Sequence, residues 1–115
     1  SLVASEDMTA AAELWRTLAA EDEHAVLGRT PQLTLANHLQ ACGDRTSAAE
    51  AYRRFLQAYP EAPESAEVRL LLSVLLVRTL GRASQAIPIL KRSLEDTLDQ
   101  NRQQLAKNLL REATT

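Results

Sequence analysis

One apolar stretch, residues 68–80 (VRLLLSVLLVRTL), most strongly constrains how this chain folds. Only Arg69, Ser73 and Arg78 interrupt its valines, leucines and single threonine. A helix of this composition carries apolar side chains on nearly every side, and a helix that is hydrophobic all round must be surrounded by partners. The stretch therefore predicts a helix at the centre of the fold, with other elements packed on several of its flanks.

The composition favours helices for the rest of the chain as well. The 115 residues are 45% hydrophobic but only 3% aromatic, and they include only three glycines. Good helix formers such as alanine, leucine, glutamate and arginine are frequent, and no segment alternates polar and apolar residues as a strand does. These features indicate one all-α domain, long enough to bury a core of its own.

The charge distribution argues against two classes of partner. The net charge of −2 provides no bulk attraction to nucleic acid or to an anionic membrane. Residues 1–66 are acidic (5 − 10 = −5) and residues 67–115 are basic (8 − 5 = +3), which is typical of solvated helix faces. The longest apolar run is shorter than the ~18 residues that span a bilayer. We therefore expect neither nucleic-acid binding nor membrane insertion, and the sequence identifies no cellular compartment.

Residues typical of helix boundaries predict six helices. Thr30 followed by Pro31 marks one start, and Ser47 with Glu50 fits a capping box at another. Asp99 is expected to cap the last helix. The predicted helices are residues 7–21, 31–42, 47–59, 65–80, 84–96 and 100–113.

Glycine and proline mark where these helices end or turn. Gly43 and Gly81 are each expected to stop a helix by adopting the left-handed conformation. Pro60 and Pro63 predict a turn, and Pro88 is expected in or just after the first turn of its helix, where its missing amide costs little. The side chains predicted to face the core are Met8, Ala11, Ala12, Trp15, Leu18, Ala19, Leu33, Leu35, Ala36, Leu39, Cys42, Ala48, Ala51, Tyr52, Phe55, Leu56, Leu105, Leu109 and Leu110.

The second and third helices are similar in sequence to the fourth and fifth. The two glycines that end the first helix of each pair set the offset, 81 − 43 = 38 residues. The matching positions are Leu35, Ala36, Leu39, Gly43, Ala48, Tyr52 and Leu56 in the first pair and Ser73, Val74, Val77, Gly81, Ala86, Leu90 and Leu94 in the second.

This pattern resembles the tetratricopeptide repeat (TPR) family, whose helix–turn–helix unit has ~34 residues. The resemblance implies antiparallel repeats stacked as a short right-handed solenoid of about six helices. It divides the chain into an N-terminal helix and loop (1–30), two repeats (31–62 and 63–98) and a capping helix (99–115). The second repeat departs from the pattern, since Ser93 and Leu98 stand where the first has Phe55 and Pro60. An ordinary antiparallel helical bundle is the alternative.

The same resemblance implies a concave groove lined by the first helix of each repeat, which in the family holds a peptide. Asn37 matches an asparagine that some family members use to grip a peptide backbone or carboxylate. The basic partners of that clamp are missing, because Leu33, Val68 and Leu72 occupy their places. An apolar groove favours a hydrophobic protein segment, a helix or a second copy of the chain, unless residues 22–30 and the last helix cover it. The groove residues implied are Leu33, Asn37, Gln40, Leu71, Leu75 and Arg78.

No group of residues predicts catalysis. The three glycines lie too far apart for a phosphate-binding loop. His38 and Cys42 share a helix face at i and i+4, a spacing that metal ligands and nucleophile pairs use, but further ligands have no evident source. A histidine beside a buried thiol is the favoured interpretation, with no metal, cofactor or enzymatic activity. Arg53-Arg54 and Lys91-Arg92 are expected on outer, solvated faces.

The favoured function is therefore a protein-interaction module that binds a peptide or helical segment. The alternative is a homodimerisation or assembly domain of a larger chain. The segment FLQAYP, residues 55–60, also resembles repeats of bacterial envelope proteins and of the soluble tails of rhomboid-type membrane proteins. That resemblance implies a soluble part of a larger, membrane-associated bacterial protein.

Overall fold

The computed structural model describes the backbone of residues 2–96 and 98–115 and the side chains of residues 10–96 and 98–115. Within these ranges every regular element is helical and none is a strand, which confirms the predicted all-α class. The predicted inward side chain of Met8 lies outside the described side chains. The elements are α1 (Leu2–Glu21), α2 (Arg29–Ala41), α3 (Arg45–Ala58), α4 (Ser65–Val74), a π-helical segment (Leu75–Thr79), α5 (Ala83–Ser93) and α6 (Gln100–Thr114).

Backbone contacts divide the chain into two compact units, residues 1–58 and residues 59–115. In the first unit, α2 packs against α3 and α1 contacts α2. In the second unit, α5 packs against α4, the π segment and α6. Each unit therefore contains one pair of helices joined by a glycine turn, together with one further helix.

The start of α2 differs from the prediction. Gly28 is the N-cap, and its carbonyl accepts a hydrogen bond of 2.9 Å from the amide of Gln32. Thr30 and Pro31 consequently lie inside the first turn of the helix. Pro31 costs no hydrogen bond there, because the first four amides of a helix have no partner within it. The prediction that Thr30 caps this helix is therefore wrong. Several neighbouring residues satisfy the same sequence rule for a cap, so the rule alone does not select one of them.

The turn between α2 and α3 contains one confirmed prediction and one correction. Gly43 ends α2 with φ +84°, and the amides of Gly43 and Asp44 bond back to the carbonyls of Gln40 and Leu39 at 3.1 and 3.0 Å. This pair of bonds is the Schellman motif, which needs a left-handed residue. The predicted capping box of Ser47 and Glu50 is wrong, since Asp44 caps α3 by accepting from the Ser47 amide at 3.2 Å.

The first unit buries most of the residues predicted for its core. Three predictions are wrong, because Ala11, Leu18 and Cys42 are exposed. α1 contacts α2 on one side only, so a narrower arc of α1 is covered than its apolar pattern predicts. Leu33, Leu56 and Ala19 are half-buried. The buried apolar side chains of this unit are Ala12, Trp15, Ala25, Leu35, Ala36, Leu39, Ala48, Ala49, Ala51, Tyr52 and Phe55.

The apolar stretch that opens the sequence forms α4 and the π segment of the second unit. Its side chains are buried in several directions, and α5 and α6 both contact it, as expected for a helix that is apolar all round. The helical hydrogen bonding changes at Leu75, and the amide of Leu80 reaches the carbonyl of Leu75 at 2.8 Å, a π-type bond. Gly81 ends the helix with φ +64°, as predicted. The buried side chains are Val68, Arg69, Leu70, Leu72, Ser73, Leu75 and Leu76.

The last two helices differ slightly from their predicted forms. Asp99 caps α6 as predicted, accepting from the Arg102 amide at 2.8 Å. Pro88 lies deeper in α5 than expected, since the helix begins at Ala83. Its missing amide leaves the carbonyl of Ser84 without the usual donor, and both residues are exposed, so solvent satisfies that carbonyl. In α6, Leu109 is buried whereas Leu105 and Leu110 are half-buried.

Candidate interaction surfaces

The predicted groove residues of the first unit lie along one face of α2. Leu33, Asn37 and Gln40 are spaced i, i+4 and i+7, so they follow one another along the helix. Leu33 is half-buried, whereas Asn37 and Gln40 are exposed. This face therefore presents two amide side chains to solvent beside a partly covered leucine.

Asn37 is held in place by a buried tyrosine of the neighbouring helix. The hydroxyl of Tyr52 donates to Oδ1 of Asn37 at 2.5 Å, while the Tyr52 side chain is only 2% exposed. A buried tyrosine needs a partner for its hydroxyl, and Asn37 supplies it. Asn37 is exposed, and its Nδ2 group carries two hydrogens that a partner can accept. The sequence signal for this contact is a polar residue, Asn37, in one predicted helix and a tyrosine predicted for the core, Tyr52, in the next helix.

The three residues that replace the basic positions of a carboxylate clamp offer no surface for one. Val68 and Leu72 are buried, at 1% and 2% exposure, and Leu33 is half-buried. The Asn37 amide is a neutral hydrogen-bond donor, with Leu33 one turn before it on α2. Such a site suits a peptide carbonyl better than a free carboxylate.

The predicted groove residues of the second unit are not equally accessible. Leu71 is 41% exposed and lies on the surface of α4, whereas Leu75 is 3% exposed. The expectation that the last helix covers part of this face agrees with the contacts of α6 to α4 and to the π segment. Of the two leucines, only Leu71 offers a partner substantial apolar area in this structure.

Arg78, the third predicted groove residue of this unit, is exposed but engaged. Its Nη2 and Nε atoms donate to the two carboxylate oxygens of Glu112 at 2.8 and 3.2 Å. The hydrogen bond from Arg78 lowers the pKa of Glu112, and the same bond raises the pKa of Arg78. An anionic partner would therefore have to compete with Glu112 for this guanidinium.

The prediction that Arg54 lies on a solvated face is wrong. Its side chain is buried, and Nη1 donates to the carbonyls of Asp22 and Ala25 at 2.8 and 2.9 Å. Nη2 donates to the carbonyl of Ala19 at 3.1 Å, and Nε binds Glu50. Arg54 thus satisfies the end of α1 and the loop after it. The sequence signal for this contact was the loop after α1, because its backbone carbonyls need hydrogen-bond donors.

An open depression of about 310 Å³ lies beside Arg54. The guanidinium is committed to protein carbonyls and to Glu50, so it has little capacity left for an anionic ligand. The depression is therefore a by-product of how Arg54 holds the loop. Its lining residues are His24, Val26, Arg54, Gln57 and Ala58.

His38 and Cys42 contact each other, as their spacing predicts. The Cys42 Sγ and His38 Nε2 atoms are 3.4 Å apart. Cys42 is exposed rather than buried, because it follows the last residue of α2. No third ligand joins the pair: among the residues that the structure describes, no group of three or more histidine, cysteine or acidic side chains is placed to bind a metal ion.

Comparison with known proteins adds no relative. No protein-family model, no curated protein and no solved structure matches this chain. Within the described part of the chain, no helix combines the length and the apolar character that crossing a membrane requires.

Proposed function

We propose that this chain is a non-enzymatic protein-interaction module of the TPR type, which binds an extended or helical protein segment through the first helices of its two hairpins. The observation that carries the proposal is the exposed Asn37 of α2, whose amide oxygen accepts a hydrogen bond from the buried Tyr52. A fixed donor on a rigid helix binds a peptide carbonyl without first losing side-chain entropy.

The repeated local geometry supports the assignment to this class of helical repeat. Gly43 and Gly81, 38 residues apart, both have positive φ, +84° and +64°. Ala48 and Ala86, each the small residue near the start of its second helix, are both fully buried at 0% exposure. Small residues at matching places let the helices of a pair approach closely. The hydrogen bonds of the two turns differ, since the Asp44 amide reaches Leu39 but the Arg82 amide reaches Leu76, so the repeated features are the left-handed glycine and the buried alanine.

Leu71 supplies an apolar contact on the second unit. It is 41% exposed on α4, at the position that matches Leu33 of α2. An exposed leucine that a partner fully covers contributes about 1–2 kcal/mol to binding. A suitable segment therefore presents backbone carbonyls for Asn37 or an apolar side chain for Leu71.

Selection from a displayed library of random peptides tests the proposal without knowledge of the natural partner. Enriched peptides are then titrated against the parent chain and its variants. Asn37→Asp keeps the shape and the acceptor for Tyr52 but removes both outward hydrogens, and we expect it to weaken binding about tenfold. Leu71→Ala should weaken peptides with an apolar anchor, whereas Gln103→Ala, an exposed change on α6, should have no effect.

Tyr52→Phe separates positioning from general stability. It removes the hydrogen bond that orients Asn37 but keeps the buried ring. We expect it to weaken the Asn37-dependent peptides and to leave the Leu71-dependent peptides unchanged. Failure to enrich any peptide would refute the proposed function. Binding by Asn37→Asp and by Leu71→Ala that equals binding by the parent chain would refute it as well. A concentration-dependent dimer that Leu71→Ala makes monomeric, seen by light scattering, would favour the assembly domain instead.

A further inference from the structure

A second apolar surface lies on α1, where Leu18 was predicted to be buried. Leu14 and Leu18 are 70% and 40% exposed, and they are the leucines of α1 whose side chains the structure describes. Their spacing of four residues places them one turn apart on the same side. Ala12 and Trp15, at 2% and 3% exposure, occupy the covered side of the helix. Leu14 and Leu18, with the exposed Ala11 beside them, form what we call the leucine stripe.

Four acidic side chains lie beside this stripe or directly after α1, and the last of them, Glu23, is attracted to Arg53 of α3. Glu13 and Glu21 lie on α1 beside the leucines, and Asp22 and Glu23 follow directly after the helix, all four exposed. The one cation of the segment, Arg16, is bound to Asp44, with Nε 2.8 Å from Oδ2. His24 Nε2 lies 3.4 Å from Oε1 of Glu23. The leucine stripe is therefore an apolar surface in a negative local field.

We propose that the leucine stripe binds an amphipathic helix whose apolar face is flanked by lysine or arginine. Such a helix buries its own leucines or phenylalanines against Leu14 and Leu18 and places its cations beside Glu13 and Glu21. The charges select the partner, because a segment with acidic flanks would meet like charges. For the same reason a second copy of α1 is a poor occupant. This surface is separate from the α2 and α4 residues of the proposed function, and the inference does not depend on them.

The probe is a fluorescently labelled 18-residue helical peptide built from leucine, lysine and alanine, with leucines on one face and lysines on both sides. Binding is measured by fluorescence anisotropy at low salt. We expect the double variant Leu14→Ala/Leu18→Ala to weaken binding at least tenfold. The matched control Val26→Ala trims an apolar side chain of similar exposure to Leu18, 36% against 40%, and should change the affinity less than twofold.

Two further measurements test the electrostatic part. Glu13→Gln/Glu21→Gln should weaken binding several-fold at low salt, and this difference should shrink at 0.5 M salt, as roughly expected from a Debye length of a few Å. A control peptide with glutamate in place of every lysine should not bind detectably.

Three results would overturn the inference. The first is equal affinity of the peptide for the parent chain and for Leu14→Ala/Leu18→Ala, with circular dichroism showing both folded. The second is equal binding of the glutamate peptide. The third is a dimer in light scattering that the same double variant converts to a monomer, because a second copy of the chain would then occupy the stripe.

Discussion

The guanidinium of Arg54 lies over the indole ring of Trp15, with its Cζ atom 5.2 Å from the ring centroid. A cation in this position is attracted by the negative face of the ring. The same guanidinium donates to three backbone carbonyls at the end of α1 and in the loop after it. One side chain of α3 therefore fixes both α1 and the loop that leads to α2.

Replacing Arg54 should destabilise the first unit strongly. Arg54→Ala removes the side-chain donor to the carbonyls of Asp22, Ala25 and Ala19, and we expect the free energy of unfolding to fall by about 2–4 kcal/mol. Arg53→Ala is the matched control, since the Arg53 side chain is largely exposed and its hydrogen-bonded ion pair is with Glu50. It should cost about 0.5 kcal/mol or less. Urea unfolding monitored by Trp15 fluorescence measures both, and equal losses would contradict the role assigned to Arg54.

The turn glycines give a second prediction about the first unit. Gly43→Ala places a side chain at φ +84° and should lower the free energy of unfolding by about 1 kcal/mol. The cost comes from the backbone alone, because an added Cβ meets no atom within 4 Å. Gly28→Ala is the control, since φ there is −58° and the nearest atom, of Pro31, is 3.7 Å away. Thermal melts should therefore show a lower Tm only for Gly43→Ala.

Local signals explain why the helices were predictable. Gly43, Gly81 and Asp99 act through atoms a few residues away, so their effects can be derived from neighbouring sequence alone. The exact starts of α2 and α3 were not predictable, because Gly28 and Thr30, or Asp44 and Ser47, each satisfy the capping rules. Which residue becomes the cap depends on the relative stability of the complete turns that each of them would form.

Burial on helix faces was less predictable, because it depends on residues distant in the sequence. Arg54 is buried by contacts to residues about thirty positions earlier in the chain. Leu75 lies in the π segment, which α6 from the end of the chain contacts. Leu14 and Leu18 are the opposite case, because they are apolar but exposed. An apolar stripe predicts that something packs against it, but it does not show whether that partner is another part of this chain. The candidate site was therefore only partly predictable: Asn37, Gln40 and Leu71 are accessible, and Leu75 is not.

The buried ion pair of the second unit should be far more important to stability than the exposed one. Nε and Nη2 of Arg69 each lie 2.8 Å from an oxygen of Asp96, and both side chains are only 8% exposed. Asp96→Asn leaves a buried guanidinium without its anion and should cost about 3–5 kcal/mol. Glu112→Gln breaks the exposed pair with Arg78 and should cause no measurable change. Chemical denaturation of the two variants distinguishes the pairs, and similar midpoints would contradict this ranking.

The cap of α3 should make the first unit sensitive to acid. Burial raises the pKa of Asp44, but the hydrogen bonds from Ser47 and Arg16 outweigh it and leave the pKa below its usual value. A carboxylate with a lowered pKa stabilises the fold above its unfolded-state pKa, and this stabilisation is lost as the pH falls through the lower, folded-state value. Asp44→Asn keeps a capping side chain but no charge. Its stability should therefore fall less steeply than that of the parent chain below about pH 4, and parallel curves would contradict the assignment.

Two fully buried serines of the second unit provide a test of polar burial. Ser73 donates to the carbonyl of Arg69 at 2.7 Å, whereas Ser93 Oγ has no hydrogen-bond partner among the described residues. Both substitutions to alanine raise helix propensity by a similar amount, so the difference between them isolates the hydroxyl group. We expect Ser93→Ala to raise the free energy of unfolding by about 1 kcal/mol, because it removes a buried unsatisfied group. Ser73→Ala should be neutral or destabilising by up to about 1 kcal/mol. If denaturation shows Ser93→Ala to be the less stable of the two variants, the Ser93 hydroxyl has a partner that stabilises the fold.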